Sequence, residues 1–420
     1  MKKTEIKQLE SFVYTEELEN GLKIFMIPYE DKENYYISYA THFGSDILEF
    51  EVDNKSYKPP LGIAHFLEHK LFEQEDGTDP FTFFSKSGTD ANASTSFDNT
   101  QYICYGTNDF SKNLRYLLDF VNSPYFTDEN VEKEKGIIAE EIKMYDDMPD
   151  VKLERKTREN VYQKSPRRID IAGSIKEINK ITKEDLYKCY KSFYVPNNMF
   201  VLILGKFDPE EAVKIIKEEV GYKNKVELPV IKKVEEKTEV HKKIEVIKEN
   251  IDVPKLSIGI KIKVPNTKMK IEEIDLYYSM ITTALFGSSS EFRERVRNKK
   301  LLNSIYTEWE DVEEYKVFYL MAASMNQDKL MEEIEYELNN LSITNNTFER
   351  IKKVWIANEV KMIDHINATV NNSYDDILRY GRIITNRIEL IRNMKMERLN
   401  QIIEKTDWTN RSIVKMIKKG

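Results

Sequence analysis

The sequence predicts an α+β protein built from two related domains, and three observations lead there. At 420 residues the chain exceeds what one ordinary hydrophobic core holds. Both halves mix apolar stretches of two-residue period with stretches of helical period. Residues 138–146 (IAEEIKMYD) resemble residues 356–364 (IANEVKMID), which sets Glu141 and Glu359 218 positions apart. A self-match with the same order of strands and helices around it points to duplication. The division expected is a first domain over 1–221, a charged linker over 222–243, and a second domain over 244–420.

The elements follow in order. Asn20-Gly21 is a hairpin signal, and Lys23–Pro28 after it reads as a strand. Residues 35–43 form another, with Ile37, Tyr39, Thr41 and Phe43 on one face. Pro59-Pro60 sets up a helix start near Leu61, and this helix runs to about Phe72. A short helix is expected over 81–86, and a strand-like stretch with small residues in its first half over 89–105. Leu114, Leu117, Leu118 and Val121 give a helix over 111–121. Thr127 is the expected N-cap of the next helix, with Phe126 and Val131 as its hydrophobic staple. This helix must end before Pro149, and Ile137, Ile138 and Ile142 beside Glu141 should be buried. Residues 200–204, closed by Gly205, make an apolar strand. In the second half Leu256, Ile258, Ile260, Ile262 and Val264 alternate as in a half-buried strand. Helices are expected over 271–285, ended by Gly287, and over 330–341.

Composition excludes several classes of function. A net charge of −8 argues against nucleic-acid binding by counterion release and gives no support to an anionic membrane partner. Cys104 and Cys189 are too few for a disulfide framework and read as buried thiols. No apolar run has the length of a signal peptide or a membrane span. The expectation is a cytoplasmic protein.

The chemistry concentrates in 62–70, GIAHFLEHK, which contains H-x-x-E-H. On a helix His65 and His69 lie one turn apart on the same face and can aim two imidazoles at one ion. Glu68 reaches the same side. Two imidazoles and an adjacent carboxylate supply two zinc ligands and a base. A catalytic zinc takes a third protein ligand. Glu141 is the leading candidate; Glu134 lies two turns before it on the same face, and pattern alone leaves Glu140 as a rival. Shifting His65 and His69 by 218 lands on Thr283 and Gly287, so the second copy keeps a glutamate but no histidines. One metal site per chain, in the first half, is expected.

These residues resemble the insulinase/pitrilysin family of zinc peptidases, the inverzincins, which includes the mitochondrial processing peptidases. That family joins H-x-x-E-H to a distal helix with two glutamates seven apart, the second of them the zinc ligand. The resemblance implies one Zn2+ held by His65, His69 and Glu141, with Glu68 as catalytic base and Glu134 in support. It implies a clamshell of two homologous domains, each a mostly antiparallel sheet with helices packed on it, the second free of metal. Residues 88–102, with Asn92 and Ala93, look like the family's edge strand, where substrate adds as an extra strand. Arg297 fits the arginine that relatives bring from the second half. The tyrosine expected seven residues later is Ser304, and Tyr306 stands two residues beyond it. Lys70 stands where many relatives have Met and is similar to a bacterial subgroup that accompanies a diverged peptidase-like chain; some of these mature ribosomally made peptides. The activity implied is a zinc endopeptidase cleaving peptides or unfolded segments in a closed chamber, as a homodimer or with a peptidase-like paralogue. A leader-peptide processing enzyme and a non-catalytic scaffold subunit are the alternatives.

Overall fold

The computed structural model describes residues 1–6, 11–362 and 365–419. The last two residues of the repeated segment, Ile363 and Asp364, lie outside them. The chain forms two compact units. The first comprises Met1–Lys143, Asp170–Lys233 and Val360–Asn386, and the second Met144–Ile169, Val234–Glu359 and Arg387–Gly420. The units therefore interleave along the chain, whereas the sequence suggests contiguous halves joined by 222–243.

The strands of the first unit are β1 (Lys2–Ile6), β2 (Ser11–Glu17), β3 (Lys23–Pro28), β4 (Tyr35–Thr41), β5 (Phe50–Val52), β6 (Lys55–Tyr57), β7 (Asp90–Thr95), β8 (Thr100–Gly106), β9 (Met199–Gly205) and β10 (Val230–Ile231). Seven form one sheet in the order β1-β2-β3-β9-β4-β8-β7, antiparallel except for β3 beside β9. The β2–β3 hairpin carries Asn20-Gly21 at its turn, as read from the sequence. The helices that build the site are α1 (Ile63–Leu71), α2 (Pro80–Ser85), α3 (Phe110–Asn122) and α4 (Asp128–Asp146).

Period-two alternation gives this sheet two buried faces. Ile24, Met26, Ile37, Tyr39, Val201 and Ile203 pack under α1, α3 and α4 in the main core. The intervening Phe25, Ile27, Phe200, Leu202 and Leu204 face the other way. They are covered by Ile366, Val370, Tyr374 and Ile377 of the helix Ile366–Tyr380.

The second unit has β11 (Ile244–Glu249), β12 (Lys255–Lys263), β13 (Ser304–Val312), β14 (Tyr315–Ala323) and β15 (Arg411–Lys418) in the order β11-β15-β12-β14-β13, with one parallel pair, β11 beside β15. Leu256, Ile258, Ile260 and Ile262 pack against Phe318, Leu320 and the helices Ile271–Phe286 and Gln327–Asn339. The expectation of a half-buried β12 is corrected here, because Ser257, Gly259 and Lys261 are buried too. The cause is α5 (Pro149–Val161), which packs on their face. A Cβ at Gly259 would come within 2.4 Å of Val161 Cγ2. Lys261 Nζ is neutralised by Glu236 Oε1 at 2.8 Å. The duplication shows in three consecutive helices: shifted by 218, α3 falls on Gln327–Asn339, α4 on Asn345–Met362 and α5 on Ile366–Tyr380.

Candidate metal centre

Helix α1 starts abruptly at Gly62, whose φ of +87° only glycine adopts readily. A Cβ there would lie 2.2 Å from the Ala172 carbonyl oxygen, so the same residue allows the close approach of the 172 loop. From that start Ile63, Ala64, Phe66, Leu67 and Leu71 turn into the core. His65 and His69 are left on the half-buried face with ring centroids 4.6 Å apart.

Helix α4 meets this face. Its N-terminus is capped by Thr127, whose Oγ1 accepts from Asn130 N at 3.1 Å, while Phe126 and Val131 are both buried as the staple requires. The buried stripe runs Val131, Glu134, Ile138, Ile142. Ile137 was expected in it but is 48% exposed, since it sits one residue, about 100°, off the stripe. The helix phase also separates the two rival glutamates. Glu141 turns to the histidines: its Oε1 is 3.7 Å from His65 Nε2 and its Oε2 is 3.5 Å from His69 Nε2. Glu140 points away and pairs with Lys143 Nζ at 2.7 Å, its side chain 76% exposed.

His65, His69 and Glu141 offer three donor atoms within 4.8 Å of one another. Ligands at ordinary zinc bond lengths in a tetrahedral site stand about 3.4 Å apart, so the spacing is close to what the ion needs. His65 adds a further sign. Its Nδ1 is buried without a hydrogen-bond partner among the described residues, and its Nε2 faces Glu141 beyond hydrogen-bond reach. A buried imidazole held this way suits a metal better than a structural hydrogen bond. The donor set, two imidazoles and a carboxylate, is also the kind that zinc takes in hydrolases.

The surrounding charges are arranged around the same point. Burial, with His69 adding to it, pushes His65 down to about 4, which keeps its imidazole neutral. Burial would also lower His69, but Glu134 hydrogen-bonded to its ring, and the charges of Glu134, Glu68 and Glu141, raise it above its ordinary value. An ionised carboxylate only accepts, so His69 Nδ1–H donates to Glu134 Oε1 at 3.0 Å, which leaves Nε2 free toward Glu141. Burial favours a neutral Glu134, yet His69 and then Lys70 hold it below the usual carboxylate range. Lys70 is completely buried between Glu73, with which it makes an ion pair, and Glu134 Oε2 at 3.7 Å. Glu68 is buried, and burial raises its carboxyl against the opposing Thr95 hydrogen bond and His69 charge. Thr95 Oγ1 donates to Glu68 Oε2 at 2.6 Å.

The remaining expected residues sit as follows. β7 ends the order of its sheet, so its outer edge is unpaired among the described residues. Asn92 is exposed, with Oδ1 accepting from Ala93 N at 2.9 Å, while the side chains of Ala91, Ala93 and Thr95 are half-buried toward the core. Arg297 and Tyr306 belong to the second unit. Arg297 is exposed near the end of the helix Glu291–Asn298. Tyr306 is 55% exposed on the edge strand β13, and with Ser304 on the same strand face it lines a cavity of about 310 Å3 that also includes Glu154 and Met321. In the second unit Glu359, the counterpart of Glu141, lies 3.7 Å from Arg387. Sequence reasoning missed the hydroxyl of Thr95 and the buried ion pairs of Lys70. The two-residue period of 89–95 puts Thr95 on the face of Ala93, but only tertiary packing brings α1 over it. Among the described residues no helix is long and apolar enough to cross a membrane.

Comparisons with known proteins agree with this geometry. The sequence profile of the insulinase family, peptidase family M16, matches residues 55–174, and that of the M16 inactive domain matches residues 180–354. YmfH of Bacillus subtilis strain 168, described as an uncharacterized zinc protease, is 41% identical over 312 residues, 73% of this chain and 73% of its own. The crystal structure of an M16-like peptidase from Alicyclobacillus acidocaldarius superposes with a TM-score of 0.92 at 31% identity, covering 98% of this chain and 99% of that one. A protease from Helicobacter pylori shares the fold, with a TM-score of 0.82 at 21% identity over 96% of this chain and 99% of that one.

Proposed function

The chain belongs to the insulinase family, peptidase family M16, and from that premise we propose that it is a zinc endopeptidase acting on peptides and unfolded polypeptide segments. The observation that carries the reading is the convergence of His65, His69 and Glu141 from two helices beside the buried carboxyl of Glu68. His65, His69 and Glu141 would hold the ion, and zinc bound there would supply Lewis acidity toward water and toward a scissile carbonyl.

The chain's own residues do the rest. Glu134 keeps the His69 ring turned so that Nε2 faces the ligand position. Glu68 takes a proton from the attacking water. The new bond joins the water oxygen to the carbonyl carbon, the C–N bond breaks, and Glu68 returns the proton to the leaving nitrogen. Burial of Glu68 suits this, because a raised carboxyl gives and takes a proton more evenly near neutral pH. The open edge of β7, with Asn92 and Ala93, is placed in this reading as the strand against which the peptide backbone lies. Arg297 and Tyr306 are assigned to substrate on the family resemblance, Tyr306 from the strand face it shares with Ser304.

General-base action is typically worth about 100- to 10,000-fold in rate. Mass-spectrometric cleavage of a pool of unstructured peptides by wild type and E68Q is therefore the test. Cleavage by wild type with a loss of that size in E68Q, zinc content being equal, supports the reading; equal cleavage by both removes it. Cleavage in a closed chamber adds that a peptide is cut when free and spared when embedded in a folded domain. Pairing with a second copy or a peptidase-like paralogue belongs to the same proposal and is read by light scattering of the purified protein.

A further inference from the structure

Thr95 makes a contact that the metal site does not need and the proton transfer does. Its hydroxyl lies 2.6 Å from Glu68 Oε2 and 3.3 Å from Thr100 Oγ1. Two hydroxyl protons serve these three contacts, so one contact carries none. Thr100 Oγ1 lies 2.8 Å from the Phe43 carbonyl oxygen, which can only accept, so the single proton of Thr100 is committed there. The Thr95 proton then goes along the shorter contact to Glu68 Oε2, and the 3.3 Å approach to Thr100 is the one left without a proton. That bond uses one of the two acceptor positions of Oε2, which disfavours protonation there relative to Oε1. The bond also survives the transfer, since Oε2 of a carboxyl protonated on Oε1 remains an acceptor.

The donor is held where it stands. Threonine is β-branched, with few side-chain rotamers open to it. The strand end is fixed by Ser96 N donating to Asn99 O at 2.8 Å, and Ser45 N and Asp46 N donate to the carbonyls of Ser96 and Phe97 at 3.1 and 2.7 Å. Asn99 Oδ1 accepts from the buried Tyr374 hydroxyl at 2.7 Å.

We infer that Thr95 is a positioning residue for the general base, donating to Glu68 Oε2 so that Oε1 is the atom that receives and returns the proton. This rests on the peptidase reading above. The test uses full-length zinc-loaded protein and the variants T95V and T95S, with kcat and KM measured separately on a peptide that wild type cleaves. A hydrogen bond to a charged group corresponds to roughly a 10- to 100-fold change in rate. T95V should lose that much in kcat while KM and zinc stoichiometry stay at wild-type values, and T95S, which restores the hydroxyl, should recover kcat. Wild-type kcat in T95V, or a T95S as poor as T95V, overturns the inference. If wild type cleaves no peptide, the peptidase reading fails by itself. Crystal structures of wild type and T95V then decide the position: a Glu68 carboxyl turned away in T95V supports it, and an unchanged carboxyl overturns it.

Discussion

Replacing Glu134 separates a built metal site from three donors that happen to be close. Glu134 Oε1 accepts from His69 Nδ1 at 3.0 Å, Oε2 lies 3.7 Å from Lys70 Nζ, and the side chain is 10% exposed. Glutamine keeps an acceptor for the ring and removes the charge; alanine removes both. Groups that stand behind a ligating histidine are typically worth about 10- to 100-fold in metal affinity, or roughly 1.4 to 2.7 kcal/mol. With its acceptor intact E134Q should lie near the lower figure, and E134A near the upper. The assay is competition for Zn2+ against a chromophoric chelator at fixed pH. E140Q is the control, because that side chain is 76% exposed and turned to Lys143. Thermal unfolding of the metal-free variants runs beside it, since each substitution takes a counter-charge from the buried Lys70. Zinc affinity equal to wild type in both E134Q and E134A would refute the reasoning.

E141Q should lose tightly held zinc where E140Q keeps it, read by metal analysis after dialysis. G259A should destabilise the second unit by about 1–3 kcal/mol, the cost of overpacking, because the new Cβ meets Val161 Cγ2 at 2.4 Å; a denaturant midpoint at or above that of wild type would count against the packing of α5. Burial would raise the Glu310 carboxyl, but Arg158 and Arg167 hold it below its ordinary value. Its contribution to stability is therefore complete above that value and is lost as the pH falls through the lower folded value. E310Q should cost about 3–5 kcal/mol at pH 7, the range for breaking a buried ion pair, and should flatten the acid slope of the unfolding free energy; an unchanged slope would mean that other carboxyls set it.

How much of this could be read beforehand depends on how local each feature is. His65, Glu68 and His69 stand within five residues on one helix, so their convergence follows from helical geometry. Glu141 is different: it neighbours Glu140, and only the phase of α4 against α1 chooses between them, which the family resemblance supplied. The same phase explains Ile137, an apolar residue one step off the buried stripe. The face of β12 carrying Ser257, Gly259 and Lys261 looked solvent-exposed because its cover, α5, comes from about a hundred residues earlier in the chain. Glycine and serine in an apolar strand were the available hint of a close neighbour. The bond from Thr95 to Glu68 left no local trace, because hydroxyls on edge strands are ordinary.

The helices α5 and Ile366–Tyr380 occupy equivalent places in the two repeats, yet each lies in the compact unit that contains the other repeat's main sheet. A half-length ancestor with this order of elements would have covered the second face of its sheet only by giving its helix to a twin and receiving one back. In a single chain holding both repeats, that trade takes place within one molecule. The first repeat alone carries the histidine pair, yet each repeat still relies on the other's helix. A protease nick in the segment 222–243 should accordingly release nothing: the pieces should migrate together in gel filtration and part only in denaturant.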